Sequence, residues 1–294
     1  KRENKTNMSA AEQLTAIMPK TAQLQEECDK YYAKALEALA ECGWRKVDLD
    51  HLSKEDEHFW KKYFQTELFP ILSPQIVDNR HPFPFLRNKE IYLGVLLKEK
   101  HPAGQSLGII PISSQMERMH VVKKDGETQF ALTEELVLHF AASIFGKETI
   151  QEKCLFRVTR NADIQVDDET FGVEGGDFRK KMEKLLRQRR RMAVVREEIN
   201  RPISDHFKEH FRSRFEVSDA QIFLSRTAPL KLGYAFSLGE HLPEKKRAFL
   251  SDAPFTPQQP AMLSAGQSLL KAALQRDILL SYPYDSMEPF LQMI

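Results

Sequence analysis

A proline-rich stretch from Phe69 to Asn88, FPILSPQIVDNRHPFPFLRN, constrains the fold of this chain more than any other feature. Its prolines push each preceding residue out of the helical region, so a helix cannot cross the stretch. A helical pattern ends just before it, and an apolar run typical of a strand, Ile91–Leu97, begins just after it. We therefore predict an extended junction between two bodies, with Phe69, Phe83 and Phe85 buried between them.

The residues before the junction have the pattern of helices. Ser9 and Glu12 have the spacing of a capping box, and apolar residues then recur at helical intervals. Pro19 interrupts this pattern, which predicts a kink or a break into two helices at that point. A second helix is expected to start at Ser53. Residues 1–71 are therefore predicted to form a helical hairpin or part of a helical bundle.

The residues after the junction alternate irregularly between strand and helix patterns. The Asp-Gly pair in Lys124–Gly126 predicts a hairpin, and Ser204 is expected to cap a helix with three inward phenylalanines. Ile278–Ser281 reads as a further strand. The fold class is therefore α+β, with a middle domain on a mixed sheet over 72–274 and the first element of another domain over 275–294.

Composition narrows the possible partners and compartments. Lys and Arg total 43 against 42 Asp and Glu, so net charge alone predicts no polyanion partner, and we expect no nucleic acid. Cys28, Cys42 and Cys154 form no CxxC motif, which favours a reducing compartment. No apolar run approaches the roughly 18 residues of a membrane span. We expect a cytoplasmic protein, with peripheral attachment to a membrane left open.

Three separated motifs resemble the phosphohistidine-type polyphosphate kinases. They are ELFPILSP followed by HPFPF and a strand, then FRVTRNADI (Phe156–Ile164), then RDILLSYPYDSMEPF (Arg276–Phe290). Their order and spacing agree with that family over nearly the whole chain. Lys1 is not an initiator methionine, and Ile294 falls inside an amphipathic pattern. The resemblance therefore implies a fragment: the last part of a helical N-terminal domain, the middle domain and the start of the first phospholipase-D-like catalytic domain.

The resemblance also implies an activity for the parent protein. Such an enzyme moves the γ-phosphate of ATP reversibly onto polyphosphate through a phosphohistidine, with Mg²⁺, and forms a homodimer or larger homo-oligomer. The family's catalytic histidine, its phosphate-binding arginines and the asparagine that meets the nucleotide base all lie outside this sequence. We therefore expect no catalytic residue and no bound ATP or Mg²⁺ here. The fragment would be inactive, shaping the substrate tunnel and making subunit contacts.

Three candidate substrate contacts lie in the second and third motifs. Tyr282 and Tyr284 come between a predicted strand and a predicted helix, where sites in α/β proteins tend to gather. Arg160 shares its strand with the polar residues Asn161 and Asp163. A buried hydrogen-bond network in which each of these polar groups has a partner explains the cluster as well as a phosphate contact does.

A run of like charge supplies the other candidates. Arg187, Arg190 and Arg191 end a predicted helix over 177–191 that is crowded with basic residues. Such crowding destabilises an isolated helix, and a polyanion with closely spaced phosphates could offset it. A solvated or subunit-contacting face is the alternative interpretation.

A histidine motif suggests a different class of protein. His206 and His210 flank Glu209 in the HxxEH pattern of inverted zinc peptidases, with both imidazoles one helical turn apart. No residue stands out as a third ligand, so we expect no metal site. The sequence also lacks a Walker-type phosphate loop. The alternatives to a polyphosphate kinase are thus a non-catalytic scaffold or binding module and, third, a zinc peptidase.

Overall fold

The computed structural model describes Arg2 and residues 5–77, 83–98, 105–124, 126–146, 149–161, 192–242, 244–264 and 266–294. The predicted basic helix, with Arg187, Arg190 and Arg191, lies outside these residues. The chain divides into two compact units, Lys1–Tyr234 and Ala235–Ile294.

The first helix, α1, runs from Ala10 to Glu41. The predicted capping box at its start is confirmed: Glu12 N donates to Ser9 Oγ at 3.3 Å, and Ser9 N donates to the Glu12 carboxylate at 2.6 Å. Of the two outcomes expected at Pro19, the break into two helices is wrong, because the helix continues through that residue, and the kink stays a prediction. A proline inside a helix removes one backbone donor, and the remaining hydrogen bonds are enough to keep this helix in one piece.

The second helix, α2, spans Lys54–Tyr63 and begins as predicted at Ser53, whose Oγ accepts from Asp56 N at 3.1 Å. A wider π-type turn over Phe64–Leu68 and a 3₁₀ turn over Phe69–Ile71 extend it to the proline-rich junction.

Short strands and helices make up the rest of the described chain. The strands are β1 Trp44–Lys46, β2 Gln75–Val77, β3 Ile91–Lys98, β4 Gln105–Ile112, β5 Met119–Lys124, β6 Glu127–Leu132, β7 Thr149–Arg160, β8 Val194–Ile199 and β9 Ile222–Leu224. The remaining α-helices are α3 Thr133–His139, α4 Ala141–Phe145, α5 Asp205–Phe215, α6 Glu244–Leu250, α7 Leu269–Ala273 and α8 Glu288–Leu291. No helix within the described ranges is both long and apolar enough to cross a membrane.

The strands form two mixed sheets, which confirms the α+β class. The larger sheet has the order β2-β4-β3-β7-β8-β9, antiparallel except for the parallel pair β8–β9. The smaller has the order β1-β6-β5 and contains the predicted hairpin, with Gly126 at a φ of +80° in its turn. Strand β1, which the sequence pattern did not predict, pairs in parallel with β6 through Trp44 and Thr128.

Strand β3 buries both of its faces. Leu93 and Val95 face a core completed by α2, α3 and α4, whereas Tyr92 and Leu96 face a core completed by α5. The predicted cap of α5 is confirmed, because Ser204 Oγ accepts from Phe207 N at 3.2 Å. The larger sheet is therefore covered by helices on both sides, which explains why β3 is apolar along almost its whole length.

The predicted burial of the junction phenylalanines is wrong for two of them. Phe69 and Phe85 are 43% and 53% exposed, and Phe83 is only half-buried. The buried side chains among the described residues of the segment are instead Leu86, at 1% exposure, and Val77, at 6%. The Arg160 guanidinium lies 4.9 Å from the Phe85 ring centroid. A cation over its face allows this ring to remain at the surface.

The second unit, Ala235–Ile294, has a small core of Leu263, Leu269 and Ala272. The strand expected at Ile278–Ser281 is wrong, since this segment has no partner strand in the described part of the unit. Ile278 and Leu280 pack against the small core. The apolar pattern is therefore met by packing alone, because a strand also needs a neighbour with free backbone groups.

Candidate functional site

A cleft of about 860 Å³ opens in the first unit. We call it the basic cleft because four cationic side chains line it: Lys46, Lys153, Arg201 and Arg226. They come from β1, β7, the loop after β8 and the loop after β9. Acidic residues and a histidine also line the cleft, namely Asp48, Asp50, Glu135 and His139.

Lys153 and Arg201 are cations without a carboxylate partner among the described residues. Lys153 Nζ donates to the backbone oxygens of Leu138, at 2.7 Å, and His139, at 3.3 Å. Burial and the nearby charge of Arg201 lower the pKa of Lys153. The Nε atom of Arg201 is buried and has no hydrogen-bond partner. We call Lys153 and Arg201 the unbalanced pair, because neither has a carboxylate within ion-pair distance among the described residues, although the charge of Asp50, which also lines the cleft, acts on Lys153.

Asn200 holds Arg201 in place at the end of β8. Asn200 N donates to Leu155 O at 3.1 Å, and Leu155 N donates to Asn200 Oδ1 at 2.7 Å. These two bonds fix the backbone immediately before Arg201. The arginine is therefore anchored through its main chain, while its guanidinium stays available for other contacts.

The acids of the cleft are largely engaged by other groups. Glu135 forms an ion pair with Lys46 at 2.5 Å, although burial still raises the pKa of Glu135. Asp48 accepts from Asp50 N at 3.1 Å and lies 2.9 Å from His51 Nδ1, and this contact lowers the pKa of Asp48. Asp50, the third acid of the cleft, is the one whose charge acts on Lys153.

Asp29 on α1 anchors the loop that carries Arg226. Its carboxylate accepts from three consecutive backbone N–H groups, those of Arg226 at 2.8 Å, Thr227 at 3.1 Å and Ala228 at 2.8 Å. Bonds of this kind to a charged acceptor are stronger than neutral ones. The long helix therefore sets the position of one wall of the cleft.

We expect Asp29→Ala to lower the free energy of unfolding of the first unit by about 2–3 kcal/mol, because three backbone donors lose their acceptor together. Glu26→Ala, which removes an exposed acid one turn earlier on α1, should change it by less than about 0.5 kcal/mol. Urea unfolding followed by tryptophan fluorescence reports on this unit alone, since Trp44 and Trp60 are the chain's two tryptophans. Equal losses in both variants would contradict the assignment.

Arg160 holds the junction against the larger sheet. Its Nε donates to Leu86 O at 3.1 Å and its Nη1 to Met192 O at 2.9 Å, while its backbone N donates to Asn88 Oδ1 at 2.9 Å. These contacts give it a structural role. Its role as a substrate contact stays a prediction.

Tyr282 and Tyr284 lie in the second unit and are 70% and 66% exposed. The Tyr284 ring meets Phe255 edge-on at 6.2 Å, and its backbone oxygen accepts from Gln258 N at 2.8 Å. Their role as substrate contacts likewise stays a prediction, as does that of the arginines outside the described residues.

The HxxEH motif lies on α5. The rings of His206 and His210 are 5.2 Å apart, and burial, followed by the charges of His206 and Arg214, lowers the pKa of His210. Glu209, the potential base, forms an ion pair with Arg212 at 2.9 Å. No group of three or more His, Cys, Asp or Glu side chains in the described ranges could hold a metal ion.

The basic cleft was missed by sequence reasoning. Its cations stand singly among other residues, about 20 to 110 positions apart, and none belongs to a recognisable motif. No local signal could have grouped them, since the pairing of β7, β8 and β9 brings three of them together.

Comparison with known proteins gives a consistent result. The family model described as the polyphosphate kinase middle domain matches residues 55–238. The polyphosphate kinase of Halalkalibacterium halodurans is 30% identical over 100% of this chain and 41% of its own length. That of Bacillus cereus is 30% identical over 99% of this chain and 42% of its own length. The chain thus spans about two fifths of these curated relatives.

The fold has a counterpart among solved structures. The crystal structure of polyphosphate kinase from Porphyromonas gingivalis matches with a TM-score of 0.67 and 18% sequence identity. The match covers 95% of this chain and 40% of that one. At this identity the likeness concerns the fold alone.

Proposed function

The chain belongs to the polyphosphate kinase family, and from that premise we propose that its parent protein transfers the γ-phosphate of ATP reversibly to polyphosphate through a phosphohistidine, with Mg²⁺. These 294 residues form a non-catalytic part that shapes the substrate path and makes subunit contacts in a homo-oligomer. The observation that carries the proposal is the middle-domain match over 55–238. That range includes Lys153, Arg201 and Arg226 of the basic cleft.

The contacts of the described histidines support a non-catalytic role. A phosphoryl acceptor needs a free ring nitrogen next to cations that hold the migrating group. The two ring nitrogens of His120 each lie 2.7 Å from a hydroxyl, that of Tyr63 and that of Thr133, and burial lowers its pKa. His139 lies 3.2 Å from the Glu57 carboxylate. Both rings therefore already have structural partners.

The described residues do not fit the family's magnesium ion, because they contain no cluster of ligands suited to a metal. No step of the transfer is therefore assigned to this chain. Its three cysteines are widely spaced and form no CxxC motif, which favours a reducing compartment, and we infer a cytoplasmic location.

We expect the 294-residue chain, incubated with γ-labelled ATP, neither to acquire acid-labile label nor to lengthen polyphosphate. The reason is that neither the family's catalytic histidine nor its phosphate-binding arginines are recognisable in this sequence. The Bacillus cereus relative, assayed in parallel, should do both. Acid-labile label on the chain would make one of its nine histidines the nucleophile and overturn the non-catalytic assignment.

A further inference from the structure

We propose that the basic cleft binds a segment of inorganic polyphosphate, with Lys153 and Arg201 as its central contacts and Arg226 at its edge. This inference rests on the proposed function, which makes polyphosphate a substrate of the parent protein. It assigns the contacts to cations of the middle domain other than those of the basic run at Arg187–Arg191.

The positive charges of Lys153 and Arg201 favour an anionic ligand. Two like charges placed side by side with no carboxylate between them repel each other, and a buried guanidinium nitrogen without a partner carries a desolvation cost. Both costs are removed when an anion sits between the groups. The charge of Arg201 acts on Lys153 more strongly than the opposing charge of Asp50 does, and the Nε of Arg201 is the buried nitrogen without a partner.

The cavities on either side of the unbalanced pair have room for an extended ligand. A neighbouring cavity of about 460 Å³ shares Lys153, Arg201 and Pro202 with the basic cleft. The unbalanced pair therefore stands where two cavities meet, with open volume on both sides. An extended ligand can pass such a point and continue, whereas a single phosphate would occupy only a fraction of the combined volume.

The side chains that line the basic cleft favour polyphosphate over a nucleotide. Adenine is commonly held against an apolar or aromatic surface, and ligand pockets for such groups are lined mainly by apolar side chains. The residues lining the basic cleft, all within the described part of the chain, include no Phe, Tyr or Trp. A chain of phosphates needs only cations and donors, which the cleft provides.

The acids of the cleft favour one side of it for the ligand. Glu135 is paired with Lys46, and Asp48 is engaged by its own loop, so both lie near β1. A polyanion avoids that side, because an acid facing a phosphate is repulsive. The path along Lys153, Arg201 and Arg226 is the side that remains, with Asp50 as the acid that acts on Lys153 there.

The test is a binding measurement on the intact chain. Calorimetric titration at low salt with polyphosphate of defined medium length should show binding that weakens as salt rises. The double substitution Lys153→Gln and Arg201→Gln should weaken it by about 10- to 100-fold, and reduce the slope of log K against log salt by about 1.5, since two phosphate contacts are lost. Lys61→Gln with Lys62→Gln, on the exposed side of α2, removes the same charge elsewhere and should have much less effect.

Two additional measurements make the outcome decisive. Arg201→Lys keeps the positive charge and should retain most of the affinity, and tryptophan fluorescence should show that all these variants unfold at similar urea concentrations. Comparable weakening by the cleft and α2 pairs would reveal non-specific attraction and overturn the proposal. So would tighter binding of ATP than of polyphosphate.

Unchanged binding in the cleft variant, with loss on substitution of Arg187, Arg190 and Arg191 by Ser, would place the ligand on the basic run instead and overturn the cleft assignment. That result would leave the proposed function intact. The proposed function fails separately, if the chain itself is labelled by ATP in the assay above.

Discussion

Replacing Glu197 by Gln should stabilise the first unit, and the gain should grow as the pH rises from about 4.5 to 8. Glu197 is fully buried on β8, where it lies in register with Val158 on one side and Ile222 on the other. Neither of its carboxyl oxygens has a hydrogen-bond partner. Burial raises the pKa of Glu197 to about 8 from its ordinary value of 4.5.

The direction of the effect follows from proton binding. Between the two pKa values the folded unit keeps a proton that the unfolded chain releases, so folding stability is full below about pH 4.5 and falls until about pH 8. One pKa unit corresponds to about 1.4 kcal/mol. At pH 7 the carboxyl therefore costs about 3.5 kcal/mol that an uncharged Gln would not cost.

The measurement is urea unfolding, followed by tryptophan fluorescence, at pH 5 and pH 8. Glu197→Gln should raise the free energy of unfolding at pH 8 and change it little at pH 5. A variant with the same pH dependence as the unchanged chain would show that another group causes the fall.

Glu198 provides the matched control, because it is also a glutamate and is the next residue on the same strand. Arg157 donates two bonds to its carboxylate, at 2.8 and 2.6 Å, and Arg196 donates a third at 3.0 Å. Glu198→Gln should therefore destabilise the unit by about 3 kcal/mol, since it leaves buried guanidinium charge uncompensated. Opposite signs for the two neighbouring substitutions are the expected result.

Phe211→Ala should be the most destabilising of the single substitutions considered, at about 4 kcal/mol. The Phe211 ring is fully buried on α5, and its centroid lies 4.8 Å from that of Phe156 and 5.0 Å from that of Phe207. It also covers Gly94 of β3, where an added Cβ would lie 3.3 Å from the ring. Truncation would leave a cavity between α5 and the sheet.

Phe85→Ala is the control for this experiment, because its ring is half-exposed and contacts Arg160 from the surface side. The expected loss is about 1 kcal/mol or less. The same unfolding measurement checks both variants. A larger loss for Phe85→Ala than for Phe211→Ala would mean that the junction, and not α5, holds the main core together.

The sequence by itself determined the features that depend on residues close together in the chain. The caps at Ser9, Ser53 and Ser204 were predicted correctly, as was the hairpin around Gly126. Each of these results from contacts within three or four positions. The three motifs also identified the family, because their order along the chain is itself a property of sequence.

The tertiary structure alone decided which side chains are buried and which segments pair. Trp44 of β1 pairs with a strand some 80 residues further along the chain. Ile278–Ser281 has no partner strand in the described part of its unit, although its sequence pattern is that of a strand. The basic cleft joins cations from four separate segments. The role of Tyr282 and Tyr284 as substrate contacts stays a prediction. Strand pairing and side-chain burial depend on contacts between residues that are far apart in the sequence. The local pattern of residues does not specify these contacts.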